Sequence, residues 1–286
     1  MAVITKTNVG VTEDVLLSRM VQDKLLKTAK LRSTVMDFSS RAVNGYKEIQ
    51  IPRWDTYFDE TPDDVPANGS DAATKPESKT MDLAVDTIQL CDDKICHFEI
   101  PDKVSMQNVI PLEAELANVA ARQMGNYMDN EIIARLRQAD ADNFVAFANG
   151  SGLGLADITE ARKKLNVKNV SESERFLLVH PCQEKNLLDT PEFVRVDGYG
   201  SLDSRRSGEI GRLYGFTVIV HNGLNDDEAI AYQKGAVAIA VQEEIRFESR
   251  RLSLKCQSYE YSYTLLWGST VLENGCKQVI INTAGA

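Results

Sequence analysis

Apolar residues at Val15, Leu16, Met20, Val21 and Leu25 follow a cap-competent Thr12 and first-turn acids, which predicts an amphipathic helix. Alternation takes over at residues 46–51, "YKEIQI", a strand pattern expected to stop near Pro52. A second strand-like run covers residues 83–100, where Ile95, His97 and Glu99 alternate with Cys96, Phe98 and Ile100. The helical period then returns: Leu112, Leu116, Ala120, Met124, Tyr127 or Met128, Ile132, Leu136 and Ala139 line one face. Pro111 suits the first turn, as do Glu113 and Glu115. This predicts a helix of nearly 30 residues, about 43 Å long at 1.5 Å per residue.

From Leu155 helix and strand patterns alternate: "ADITEARKKL", "RFLLVH", "CQEKNLL", a polar loop "RVDGYGSLDSRRSGEIG", then "FTVIV". That order predicts a small α/β unit. Beyond Gln242 strand signals dominate, and Asn274 with Gly275 between two apolar runs predicts a hairpin turn. No internal repeat is present.

Residues 58–82, "FDETPDDVPANGSDAATKPESKTMD", cannot contribute to a core. They hold three prolines and seven acids against two bases, which is half of the formal net charge of −10. With an extended arm on either side they predict a long hairpin with an acidic tip. Arms of about 12 to 25 residues at about 3.3 Å each would reach roughly 40 to 80 Å. A compact chain of this length has a radius of gyration near about 19 Å, so the hairpin should project and seek a surface elsewhere.

Composition narrows the function classes. Lys and Arg total 32 against 42 Asp and Glu, which argues against a surface that grips phosphate backbones. Residues 1–10 lack the basic and apolar regions of a signal peptide, and no run approaches the roughly 18 apolar residues of a membrane span. A soluble protein made in a cytosol is expected. Cys91, Cys96, Cys182, Cys256 and Cys276, an odd set in a long chain, are expected to be reduced thiols.

"NFVAFANGSGLGLADITEARKKL" looks at first like a dinucleotide cradle, but Gly150, Gly152 and Gly154 are spaced GxGxG rather than GxGxxG. The next strand ends in His180 and Pro181, where a ribose-binding acid belongs. Asp157 and Glu160 instead suggest a capping-box-like helix start, with the glycines as a hinge. His180 and His221 each close an apolar strand, where α/β enzymes place chemistry, yet neither lies near a nucleophile in a recognisable elbow. Structural polar caps are the expected role. Cys91, Cys96 and His97 lack the spacing of a zinc site and read as buried or strand-face groups. The pairs Lys163–Lys164, Arg205–Arg206 and Arg250–Arg251 read as solvated surface or as ion pairs across a subunit contact. No catalytic, cofactor-binding or metal-binding set emerges.

The order of these parts resembles the major capsid protein family of tailed bacteriophages, the Hong Kong ninety-seven phage fold. The resemblance covers essentially the whole chain: the amino-terminal arm, "KPESKTMDLAVDTIQL", the spine "IPLEAELANVAARQMGNYMDNEIIARL", "FANGSG", "DITEARKKL", "RFLLVHPCQEKNLL", "GEIGRLYGFTVIVHNGL", "AIAYQKGAVAIAV" and "YSYTLLWGSTVLENGCKQVIIN". It implies an α+β fold: an arm (1–45), an extended β-hairpin loop (46–101), a peripheral domain with the spine helix (102–150), an α/β axial domain (151–254) and peripheral return strands (255–286). The implied function is a structural major capsid protein, self-assembling as pentamers and hexamers into an icosahedral shell around a double-stranded DNA genome. It would occur in the virion, and in host cytoplasm during assembly. Implied partners are a separate scaffolding protein, since an arm helix starting near Thr12 leaves no room for a long leading segment, a portal and decoration proteins. DNA contact would be weak and non-specific, and no membrane is involved. Some relatives join subunits by a lysine-to-asparagine bond; Lys75, Lys79 and Asn274 are eligible, but no motif singles them out and cross-linking is not expected. An encapsulin nanocompartment shares the fold, and a cytosolic α/β enzyme using His180 and His221 is the alternative of another class.

Overall fold

The computed structural model describes residues 30–42, 46–54, 83–102, 112–148, 152–189, 211–252 and 258–283. The amino-terminal helix pattern, the acidic tip with Lys75 and Lys79, Pro111, Gly150, Arg205, Arg206 and Cys256 lie outside these residues.

Twelve strands and three α-helices are described: β1 (Met36–Asp37), β2 (Glu48–Trp54), β3 (Leu83–Gln89), β4 (Asp92–Pro101), α1 (Leu112–Leu136), β5 (Phe144–Ala146), α2 (Leu155–Val167), β6 (Arg175–Val179), α3 (Pro181–Asp189), β7 (Arg212–Leu213), β8 (Phe216–Val220), β9 (Glu228–Gln233), β10 (Val237–Leu252), β11 (Ser258–Val271) and β12 (Gln278–Asn282). They form a six-stranded mixed sheet, order β5-β12-β9-β6-β8-β7, a four-stranded sheet, order β1-β10-β11-β4, and the two-stranded ribbon β2-β3.

The long helix is present but ends at Leu136, short of Ala139, and its expected stripe is buried from Ala120 to Leu136. Ala120, Met124, Met128, Ile132, Ile133 and Leu136 form the main core with Trp267 and Leu265 of β11, Ile239 of β10, and Ile230 and Tyr232 of β9. One helix face thereby joins both sheets. On the other face of the six-stranded sheet, Ile158, Ala161 and Leu165 of α2 cover Leu177, Val179, Ala229, Ala231, Val279 and Ile281. Period-2 alternation sends neighbours to opposite cores: Leu177 and Val179 face α2, and Leu178 faces α1.

The ribbon departs from expectation in two ways. β2 runs through Pro52 to Trp54, with Pro52 opposite Val85. Each strand of an isolated ribbon has a free edge, where a residue without an N–H is tolerated. The returning limb is also broken. The strand is interrupted at Leu90 and Cys91, and β4 pairs with β11 instead of continuing the ribbon, Pro101 opposite Ser258 and Asp92 opposite Trp267. The described ribbon is therefore seven residue pairs, about 23 Å. Its base does not stand alone: Ile49, Ile88 and Leu90 pack on Ala238, Ala240 and Leu272. Small residues on this face of the four-stranded sheet allow the approach. An added Cβ on Gly268 would lie 2.1 Å from the Gln89 carbonyl oxygen.

The carboxy-terminal hairpin is also revised. Asn274 (φ 52°) and Gly275 (φ 77°) make a tight left-handed turn, as their residue types suggest. The flanking strands do not pair, because β11 stays in the four-stranded sheet while β12 crosses to lie between β5 and β9. Sheet membership thus cuts across the expected boundaries at 150 and 254. β5 and β12 join the sheet of the 151–254 segment, and β10 leaves it to pair with β11.

Candidate functional site

The most densely organised polar site is a junction where the arm, the long helix and the six-stranded sheet meet. Asp129 lies on α1 beside the apolar stripe and is completely buried. Its carboxylate accepts hydrogen bonds from the backbone N–H groups of Lys30 (2.9 Å) and Leu31 (3.1 Å). The third partner is His221, whose Nε2 lies 3.3 Å away. His221 Nδ1 accepts from the Gly223 N–H at 3.0 Å, so the neutral ring carries its proton on Nε2 and donates it to Asp129. A buried carboxylate with three donors is satisfied without a cationic partner.

The arm is stitched down onward from this point. Leu31 and Val35 are buried in the main core. Thr34 Oγ1 donates to the Leu31 carbonyl at 2.7 Å and shares a hydrogen bond with the Tyr232 hydroxyl at 2.8 Å. Burial pushes the Tyr232 hydroxyl far above its ordinary pKa, the Thr34 bond opposes this and the Asp129 charge adds to it, so the group stays protonated. β1 then pairs in parallel with β10, Met36 opposite Ala238, and Ser39 Oγ accepts from the Val241 N–H at 3.0 Å. A second clamp holds the end of α1 to the start of β9. Arg137 donates to both carboxylate oxygens of the buried Glu228, at 2.7 to 3.2 Å, and that bonding raises the guanidinium pKa further.

The two strand-end histidines are not a pair in chemistry. β6 and β8 are parallel neighbours with Val179 opposite Val220, so His180 and His221 leave adjacent strand ends. His221 turns inward to Asp129. His180 caps α3: its Nδ1 accepts from the Cys182 N–H at 3.3 Å, and its Nε2 faces Asp226 Oδ1 at 3.4 Å. His180 thus sits at the start of α3, and His221 is a buried hydrogen-bond partner of Asp129. What sequence spacing did not reveal is a cluster: His180, Cys182 and Asp226 offer nitrogen, sulfur and oxygen atoms all within 4.8 Å of one another. Asp226 comes from 44 residues downstream on the loop before β9, which is why sequence spacing did not reveal the group.

The remaining candidates separate. Cys91 is exposed between β3 and β4, Cys96 is half-buried with its thiol pushed up by burial, and His97 turns to Glu260 Oε1 at 2.5 Å. Asp157 does fasten the start of α2, accepting from the N–H groups of Gly154 (2.8 Å) and Ala148 (2.9 Å). A carboxylate thus holds the position where a phosphate would sit. With Leu153 N–H bound to Gln183 Oε1 at 2.8 Å, the described flanks of the expected hinge are fastened on both sides. Lys163 pairs with Glu160, Lys164 ties the Asp142 and Phe144 carbonyls, and Arg251 reaches Asp102. Asp129 was missed by sequence reasoning; its signal was an acid one residue from Met128 and three from Ile132, at the margin of the apolar stripe.

This layout is shared with known proteins. The family described as Phage capsid protein matches residues 97–283, a span containing α1 and most of both large sheets. The chain belongs to the phage capsid protein family. It is a structural subunit of a viral shell, and its place is the virion capsid. Among solved structures, a chain from Mycobacterium phage Che8 shares 20% identity at a TM-score of 0.72, covering 91% of this chain and 93% of that one. The capsid of cyanophage P-SCSP1u shares 13% at 0.71, with 90% and 88% covered. A chain from Microbacterium phage Oxtober96 shares 11% at 0.65, with 98% and 99% covered. At these identities the resemblance shows a common fold. No curated protein sequence matches the chain. In the capsid protein, the Asp129 junction fastens the described start of the arm, Lys30 and Leu31, to α1 and to His221.

Proposed function

We propose that this capsid protein is the major head subunit of a tailed phage, closing as pentamers and hexamers into an icosahedral shell around double-stranded DNA. The family match across both sheets and the long helix carries this reading. The α2–α3 layer with the six-stranded sheet is the axial body, and α1 with the four-stranded sheet is the peripheral body. Contacts between copies use the ribbon and the open edge of β4. Tyr46 just before β2, Val85 on β3 and Ile95 on β4 are exposed hydrophobics that support this. Several modest contacts per subunit give a stable shell by multivalency.

Catalysis is no part of the role, since the histidines that an α/β enzyme would pair are engaged with different partners. The finer partners are a separate scaffolding protein, a portal and decoration proteins, with assembly in the host cytoplasm. The net charge of −10 keeps contact with packaged DNA weak. Negative-stain microscopy of the overexpressed protein, alone and with its scaffolding partner, tests the reading. Closed shells are expected; a compact monomer indifferent to concentration and to helper proteins would overturn it.

A further inference from the structure

We infer that His180, Cys182 and Asp226 form a binding site for a divalent ion of the zinc class at the carboxyl end of β6. The three side chains supply an imidazole nitrogen, a thiol sulfur and a carboxylate oxygen within 4.8 Å of one another. Around a tetrahedral zinc ion, with bonds of about 2.0 to 2.3 Å, ligand atoms stand about 3.3 to 3.8 Å apart. His180 Nε2 and Asp226 Oδ1 are already 3.4 Å apart, and with all ligand atoms within 4.8 Å the exposed Cys182 has at most about 1.5 Å to close.

The scaffold behind the ligands is rigid where it matters. His180 and Cys182 stand at the start of one helix, with the Gln183 and Glu184 N–H groups bound to the His180 carbonyl at 2.9 and 3.0 Å. The buried Gln183 donates from Nε2 to the Asp226 carbonyl at 2.7 Å, and its Oε1 accepts from Leu153 N–H at 2.8 Å. Asn225 N–H is held by Glu228 Oε2 at 3.2 Å. The backbone of the Asp226 loop is thereby fixed to α3, while the Asp226 side chain is 84% exposed and free to bind.

Charge also balances. A thiolate and a carboxylate neutralise a divalent ion, the imidazole binds as the neutral ring, and water fills the fourth position. The Cys182 thiol loses its proton to solvent as the S–metal bond forms. Coordination through Nε2 moves the ring proton to Nδ1 and gives up the long 3.3 Å contact with the Cys182 N–H, which turns to water at this exposed position. The site lies outside the sheet at a strand's carboxyl end, the usual place for ligands on α/β layers.

The unassembled, chelator-treated full chain titrated with Co²⁺ tests the site by its thiolate-to-cobalt charge-transfer absorption, with Zn²⁺ as competitor. One saturable equivalent is expected, displaced by Zn²⁺. Cys182→Ser should abolish the band, Asp226→Asn should weaken binding at least about 10-fold, and Cys91→Ser should leave it unchanged. Cys182 and Asp226 are exposed, so equal urea midpoints for these variants verify folding. No band in the parent chain at millimolar Co²⁺, or a band that survives in Cys182→Ser, would overturn the inference.

Discussion

Substituting Gly268 with alanine probes whether the ribbon is seated by backbone contact or merely rests on the sheet. The new Cβ would lie 2.1 Å from the Gln89 carbonyl oxygen, 2.9 Å from its carbon and 3.1 Å from Ile88 Cγ2. Comfortable separations are about 3.5 Å, so one backbone must retreat by more than about 1 Å. Neither can do so freely: β11 is paired on both sides, and β3 is paired to β2. Lifting the ribbon away would expose Ile49, Ile88 and Leu90, each worth about 1.5 to 3 kcal/mol. Local strain of about 1 to 3 kcal/mol is the smaller cost, so the ribbon should stay seated but strained. Relief of glycine's unfolded-chain entropy offsets about 0.5 to 1 kcal/mol; from the middle of the strain range, about 2 kcal/mol, that leaves a net loss of about 1 to 1.5 kcal/mol. Urea unfolding of the unassembled subunit, followed by the fluorescence of the buried Trp267, reads this directly. Gly211→Ala is the control, because nothing lies within 4 Å of its added Cβ, and it should change stability by less than about 0.5 kcal/mol. Unchanged stability in Gly268→Ala would show that the close approach is not a real constraint and would remove the account of why the ribbon sits where it does.

Asp129→Ala should cost about 3 kcal/mol in urea unfolding, because it strands the buried Leu31 N–H, the partly buried Lys30 N–H and buried His221, and should speed proteolysis within residues 30–42; protection equal to the parent would refute the latch. Asp157→Ala should cost about 1 kcal/mol through loss of the α2 start, with little change expected for Glu160→Ala; equal midpoints for the two would count against the cap. The Lys168 hydrogen bond and charge lower the Asp140 pKa, so the folded carboxylate binds its proton less readily than the unfolded one. Its contribution is complete above the ordinary carboxylate range and is lost as pH falls through the lowered value. Being largely solvated, it is small, and Lys168→Met should flatten that part of an acid-unfolding profile without changing stability slopes near pH 7.

Helices α1, α2 and α3, and strands such as β6 and β8, were legible from the chain alone because a side chain's choice between core and water repeats with the local backbone period. The same period located the stripe from Ala120 to Leu136 that unites the two sheets. The Asn274–Gly275 turn was legible too, since left-handed dihedrals favour those residue types.

Periodicity says which way a strand faces but not which strand lies beside it. That β12 would cross to β9, that β4 would leave β3 at Cys91, and that β1 would run parallel to β10 were settled by packing between residues as far apart as Met36 and Ala238. The same holds for both polar sites. Asp129 gained its partners from Lys30, Leu31 and His221, and Asp226 met His180 and Cys182 only because the six-stranded sheet sets β6 between β8 and β9. Local sequence determined the elements and their buried faces; the partners of a buried charge are chosen by the global arrangement, where every donor and acceptor removed from water must be matched at once.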